Sequence, residues 1–142
     1  WPSGPRDARA DGRLRRRMIV GIGTDIVVVD RIRESHEKFG VKFLDRILLP
    51  AEREYCLSHT DPSPHIAARF AAKEAIAKAF GTGISESLGW HDMEIVREDS
   101  GKPTAKIHGQ AQSLLQQTGA TQLHISLSHT HQHATATAVL EQ

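Results

Sequence analysis

Fifteen residues, Ile66 to Phe80, contain seven alanines and no glycine or proline, and they run into Gly81-Thr82-Gly83. Alanine gives up least freedom on entering a helix and glycine ends one, so this stretch is predicted to be the chain's principal helix. Ahead of it, Thr60-Asp61-Pro62-Ser63-Pro64 reads as a turn, with Ser63 as N-cap and Pro64 at the first helical position. Whatever else the chain forms has to be arranged around this rod.

The flanking segments are short. Met18 to Val29 is apolar and β-branched apart from Gly21, Gly23, Thr24 and Asp25, and it opens as a buried strand. Asp30 is placed to cap a helix through Arg31, Ile32 and His36 that Gly40 stops. Val41 to Leu49 links to Pro50, which suits the start of a helix over Ala51 to Leu57, although Leu49 stands where a hydroxyl cap is expected. Asp92 to Glu98 and Thr104 to His108 are expected as strands joined by the turn Asp99-Ser100-Gly101-Lys102. Gly109 to Thr118 is a short polar helix ended by Gly119. Leu123 to Ser128 and Ala134 to Leu140 alternate as a last hairpin. No repeat or linker interrupts 18–142. Helices and strands in this order imply one α+β domain with mostly antiparallel strands.

Charge divides the chain unevenly. Residues 1–17 carry six Arg and two Asp, hence +4, while 18–142 carry 12 basic and 15 acidic residues, hence −3. The leading segment, rich in Arg, Gly and Pro, is expected to be a disordered basic extension or tag remnant. Its cluster of Arg13 and Arg15 to Arg17 also admits a nucleic-acid arm. The acidic balance of the remainder argues against a general polyanion binder, so no nucleic-acid partner is expected there. No apolar run approaches the ~20 residues a membrane helix needs, and no apolar stretch of a secretory signal precedes Met18. A lone Cys56 forms no internal disulfide and suits a reducing, cytoplasmic setting, where it is expected to be a packed bystander.

Two acidic residues stand where chemistry is a better reason than folding. Asp25 is expected at the end of an apolar strand behind a Gly-x-Gly-Thr turn, where a carboxylate is costly unless paired or metal-bound. Glu74 lies mid-helix, which is cheap, and by itself it makes an ordinary surface pair with Lys78 one turn on. Read together, Glu74 and Lys78 share a face that leads into Gly81-Thr82-Gly83, where small residues let backbone N–H groups approach an anion. Two carboxylates, a lysine and a glycine loop suit Mg2+ held against phosphate oxygens.

Other patterns compete. Gly21-Ile22-Gly23 after a strand lacks the third glycine of a dinucleotide fingerprint. His129, His131 and His133 alternate and would project from one side of a strand as a zinc or copper site, or else simply face water in a turn. His129 directly follows an apolar strand. Arg31, Arg33, Lys38 and Arg46 gather around the first helix, interleaved with Asp30, Glu34 and Glu37. They form either a solvated charged face or a docking surface for an acidic partner.

The motifs fall into the order of a known family. Gly21-Ile22-Gly23-Thr24-Asp25-Ile26-Val27, with Arg31-Ile32 following, resembles the opening signature of the holo-[acyl-carrier-protein] synthase family. Arg69-Phe70-Ala71-Ala72-Lys73-Glu74-Ala75 and Ala77-Lys78-Ala79-Phe80-Gly81-Thr82-Gly83-Ile84 are similar to its second signature almost residue for residue. Gly101-Lys102-Pro103 and Ile125-Ser126-Leu127-Ser128-His129 match two smaller ones, so the likeness spans 18–142. The resemblance implies the 4'-phosphopantetheinyl transferase fold, an antiparallel sheet packed with helices, assembled as a homotrimer with clefts at subunit interfaces. It implies transfer of 4'-phosphopantetheine from coenzyme A to a serine of an acidic acyl carrier protein in fatty acid biosynthesis. Asp25 and Glu74 would hold Mg2+, with Lys78 at the phosphate and Gly81, Thr82 and Gly83 along the nucleotide. Arg69, Lys102, Pro103 and His129 would lie toward the adenosine and its 3′-phosphate, and Arg31, Arg33 and Arg46 would dock the carrier. The basic segment before Met18 and the extra histidines 131 and 133 have no counterpart in the family pattern.

Overall fold

The computed structural model describes residues 18–142. The expectations placed on residues 1–17 lie outside them. The order is β1 (Ile19–Val28), α1 (Val29–Phe39), α2 (Val41–Ile47), α3 (Pro50–Leu57), α4 (Ser63–Phe80), β2 (Met93–Arg97), β3 (Pro103–Ile107), α5 (Ala111–Thr118), β4 (Gln122–His129) and β5 (His133–Glu141). Antiparallel strands form one sheet in the order β1-β5-β4 and a separate β2-β3 hairpin, so the α+β expectation holds.

α4 is apolar nearly all round and lies in the centre, with Ile66, Ala67, Ala71, Ala72, Ala75, Ile76 and Ala77 fully buried. One of its faces rests on a sheet floor made of Gly21 and Gly23 from β1 and Ala134, Ala136 and Ala138 from β5. Small residues on both sides let helix and sheet approach closely, which is why the chain spends so much alanine here. A Cβ on Gly23 would sit 1.9 Å from the Ala75 carbonyl oxygen, and one on Gly21 would sit 2.0 Å from that of Ala79. The Gly-x-Gly segment is therefore not the turn expected from the sequence. It is extended strand whose glycines make room for a helix backbone, and Asp25 stands well inside β1 rather than at its end. Gly23→Ala is expected to lower stability by about 1–3 kcal/mol or more, because α4 must lift off the sheet. Thermal unfolding of the purified variant measures this, and an unchanged Tm would contradict the packing described.

Several helix boundaries have different causes from those expected. Asp30 lies inside α1 and does not cap it; Val28 occupies the N-cap, and Asp30 accepts a hydrogen bond from Arg33. Val41 to Ile47 is helical, with Leu44 and Ile47 as its buried contacts. At α3 no hydroxyl caps the first turn; Glu52 reaches back instead, and the Leu49 N–H donates to its Oε1 at 2.7 Å. Ser63 is already the first residue of α4, and Asp61 Oδ1 accepts its N–H at 3.2 Å. Gly81 closes α4 in the left-handed conformation, as expected. Cys56 is fully buried, and burial raises its thiol pKa to about 11.

Candidate active site

The alternation of β1 turns Gly23, Asp25 and Val27 toward α4 and leaves Ile22, Thr24 and Ile26 on the opposite, exposed face. Asp25 thus enters the seam between strand and helix, next to the helix face bearing Glu74 and Lys78. Lys78 Nζ donates to the Thr24 carbonyl at 2.9 Å and to Asp25 Oδ1 at 3.2 Å. The lysine thereby pairs with the strand aspartate across some fifty residues of sequence. Asp25 is mostly covered, at 17% side-chain exposure, whereas Lys78 is half exposed.

Glu74 is pushed above the ordinary carboxylate range, first by burial and then by the negative charge of Asp25; Lys78 only partly offsets this. Two carboxylates close enough to oppose each other's ionisation, one of them paired with Lys78, make up an oxygen donor set. This donor set fits Mg2+, which takes one or two carboxylates and fills its remaining positions with water and phosphate oxygens. Among the described residues no group of three or more His, Cys, Asp or Glu side chains is placed to hold a metal. His131 and His133 stand exposed in and beside the β4–β5 turn, where the Thr130 N–H donates to the His133 carbonyl at 2.8 Å.

The glycine loop is built differently from its simplest reading. The Gly81 and Gly83 N–H groups donate back to the carbonyls of Lys78 and Ala77, at 2.9 and 3.1 Å. Both glycines have positive φ, and a Cβ on either would meet open space. The loop offers bare backbone faces beside Lys78, not free amides at these two positions.

A second group of residues gathers one and a half turns earlier on α4. Arg69 is 3% exposed, its guanidinium lies 4.3 Å over the Tyr55 ring, and its Nε has no hydrogen-bond partner. Arg97 covers the same ring at 5.4 Å. His65 stacks on His59 at 3.5 Å and meets the His129 ring edge-on at 5.2 Å. Tyr55, Glu52, Arg69, Glu94, Ile95 and Arg97 line a cavity of about 200 Å³. Pro103 is the register partner of Arg97, so the β2–β3 hairpin brings Lys102 and Pro103 to this end of the molecule. Of this group the sequence pointed only to Arg69, Lys102, Pro103 and His129. The spacing of four residues from Tyr55 to His59 and from His65 to Arg69 was the available signal for the rest.

The basic residues of the first helices differ in their partners. Arg33 is held by Asp30 and by Asp61, the latter at 2.8 Å. Arg31 and Arg46 are exposed and form no salt bridge among the described residues.

The model of the 4'-phosphopantetheinyl transferase superfamily matches residues 21–138, a span holding Asp25, Glu74, Lys78 and His129. This chain belongs to that superfamily. Among its relatives, a holo-[acyl-carrier-protein] synthase of Koribacter versatilis is 49% identical over 124 residues, covering 87% of this chain and 99% of that protein. The crystal structure of the holo-[acyl-carrier-protein] synthase from Neisseria meningitidis aligns with a TM-score of 0.82 at 38% identity, over 88% of this chain and all of that one. The Helicobacter pylori enzyme in complex with coenzyme A aligns at 0.75 and 34% identity, over 84% and 98% of the two chains. Two clusters thus lie along α4: a carboxylate–lysine seam in its C-terminal half, and a guanidinium–imidazole group near its start.

Proposed function

We propose that this chain transfers the 4'-phosphopantetheine group from coenzyme A to a serine of acyl carrier protein, giving the holo carrier and adenosine 3',5'-bisphosphate. The observation that carries this reading is the Asp25–Lys78–Glu74 seam, formed between β1 and α4 in a member of a superfamily of such transferases. Asp25 and Glu74 are the residues that would hold Mg2+; bound there, the cation supplies charge neutralisation on the phosphates and a better leaving group. Lys78, half exposed beside them, binds a phosphate oxygen, and the open faces of Gly81, Thr82 and Gly83 receive the nucleotide. The carrier serine oxygen attacks the phosphorus bearing the pantetheine arm, and the bond from that phosphorus to the nucleotide's phosphate oxygen breaks. The serine proton leaves toward the Asp25–Glu74 carboxylates. Arg69, Lys102, Pro103 and His129 take the adenosine end. Incubation with coenzyme A, Mg2+ and apo carrier should raise the carrier's mass by one phosphopantetheine; an unchanged mass would remove the reading.

Arg31 and Arg46 supply the carrier-docking charge, while Arg33 contributes less because Asp30 and Asp61 already engage it. Arg31→Glu is expected to raise KM for an acidic carrier on the order of tenfold and to flatten its salt dependence, with coenzyme A affinity kept. A loss confined to coenzyme A binding would reassign Arg31.

The outer face of the three-stranded sheet presents Ile22 and Ile26 at 63% and 66% exposure, with Val28 beside them. Such a face needs a cover, and a homotrimer with clefts between subunits supplies one. Sedimentation giving a monomer would exclude that assembly. No helix among the described residues is long and apolar enough to cross a membrane. The single buried Cys56 is in keeping with a cytoplasmic place of action.

A further inference from the structure

The first helix presents two sides of opposite charge. Arg31 and Lys38 lie seven residues apart, about two turns, and share one exposed side. Asp30, Arg33 and Glu37 fall at i, i+3 and i+7 and share the adjoining one, with Glu34 exposed between the two. On this second side the guanidinium is already occupied. Its Nη1 donates to Asp30 and its Nη2 to Asp61 Oδ2 at 2.8 Å. Asp61 does not belong to the helix. It comes from the turn before α4, and both of its oxygens are engaged, because Oδ1 accepts the Ser63 N–H at 3.2 Å. Pro62 and Pro64 stiffen that turn. The carboxylate is therefore fixed against Arg33 while its side chain stays 53% exposed. An exposed ion pair of this kind adds little to stability. Its larger effect is on the local field. Asp30, Glu37 and Asp61 set three carboxylates against one guanidinium, beside a side of α1 where Arg31 and Lys38 are positive.

We propose that Asp61 limits the docking of an acidic carrier: by holding Arg33 it keeps one cation of the docking face out of use and confines the partner to Arg31 and Lys38. This rests on the transferase reading, in which the partner is an acidic acyl carrier protein. The new element is an opposing contact within the chain, made by a residue outside every motif that identified the family. A carrier laid along Arg31 and Lys38 meets two cations. One displaced toward Arg33 meets Asp30, Glu37 and Asp61 before it reaches the guanidinium, and like charges brought together exclude that placement. Asp61 thus sets how strongly the chain responds to its partner's acidity.

The experiment is steady-state transfer to an apo carrier by the full chain, Asp61→Asn, Arg33→Gln and the double variant, at low and at physiological ionic strength. Asparagine keeps a side-chain oxygen for the Ser63 N–H, so the turn is retained and only the charge is lost. Asp61→Asn is expected to lower KM for the carrier about threefold at low salt and to steepen its salt dependence, with kcat and KM for coenzyme A unchanged. Most of that gain should vanish in the Arg33→Gln background, where no guanidinium is released. A carrier with one acidic residue of its docking helix neutralised should gain less than the native carrier. Carrier KM and salt dependence left unchanged by Asp61→Asn would overturn the proposal, and so would a gain equally large without Arg33. A change confined to KM for coenzyme A would overturn it as well, by assigning Asp61 to the nucleotide end. In each of these cases transfer by the wild type leaves the transferase reading standing; no transfer by the wild type would remove both.

Discussion

Replacing Asp25 or Glu74 by alanine is expected to lower carrier modification on the order of 10²–10⁴-fold, while the protein stays folded. The carboxylates make few contacts that folding depends on. Asp25 accepts one hydrogen bond, from a half-exposed lysine, and Glu74 is opposed by Asp25's charge. Removing either one relieves repulsion as well as deleting a proposed Mg2+ ligand, so the loss of activity should come with little change in Tm. That separation distinguishes a site from a scaffold. Mass spectrometry of the carrier after incubation with coenzyme A and Mg2+ gives the activity, and circular dichroism on heating gives the fold. Transfer at the wild-type rate by both variants would end the two-carboxylate assignment.

The raised pKa of Glu74 gives the same site a pH signature. A carboxyl group whose folded-state pKa lies above its unfolded value favours folding fully below the unfolded pKa, and this contribution is lost as pH rises through the folded one. A divalent cation acts on the same equilibrium from the other side, because it prefers the ionised form. Mg2+ binding should therefore weaken as pH falls through the raised Glu74 pKa. Asp25→Asn, which deletes the charge that helps raise it, should move the Glu74 midpoint down. A carbon-detected NMR titration of the Glu74 carboxyl reads that midpoint directly.

What the sequence made legible is what depends on local pattern. Seven alanines without a helix breaker, closed by Gly81, defined α4 to within a few residues, and the alternation in 134–140 defined β5. Asp25 stood out because an aspartate is out of place in an apolar run, and Glu74 and Lys78 because one turn separates them. Illegible features were those that need distant residues to meet. Gly21 and Gly23 looked like a turn because their purpose, close approach to Ala75 and Ala79, is set by a helix some fifty residues away. The cap on α3 was hidden because Glu52 bends back to an N–H that no hydroxyl serves. Tyr55, His59, His65 and Arg97 come from three separate segments and have no joint signature in one dimension. Nothing in the sequence separates Arg33 from Arg31, because the partner that engages Arg33, Asp61, comes from the turn before α4.

The largest expected loss of stability comes from Lys73, a residue with no chemistry of its own. It is fully buried, and its Nζ donates to Glu52 Oε1 at 2.7 Å, the Ile47 carbonyl at 2.7 Å and the Trp90 carbonyl at 3.1 Å. Glu52 in turn accepts the N–H of Leu49 and, at 2.8 Å, that of Ile95. This one ion pair joins α4 to α2, α3 and the start of β2. Burial works against the charge on Lys73 and Glu52 sustains it, so neither partner is stable in place alone. Lys73→Met should cost about 3–5 kcal/mol, a fall in Tm on the order of 10–20 °C for a domain this size. Buried ion pairs can often be exchanged for apolar residues at no loss, but here the double variant Lys73→Met/Glu52→Leu should remain unstable. It strands the Leu49 and Ile95 N–H groups, each worth about 1–3 kcal/mol when buried without a partner. A double variant as stable as the wild type would show that the pair is dispensable. The consequence for function is one of rotation. Successive residues on a helix point about 100° apart, so anchoring Lys73 in the core fixes the direction of Glu74. Near its midpoint of unfolding, Lys73→Met should lose transfer activity before its helical signal, as α4 turns Glu74 and Lys78 away from Asp25.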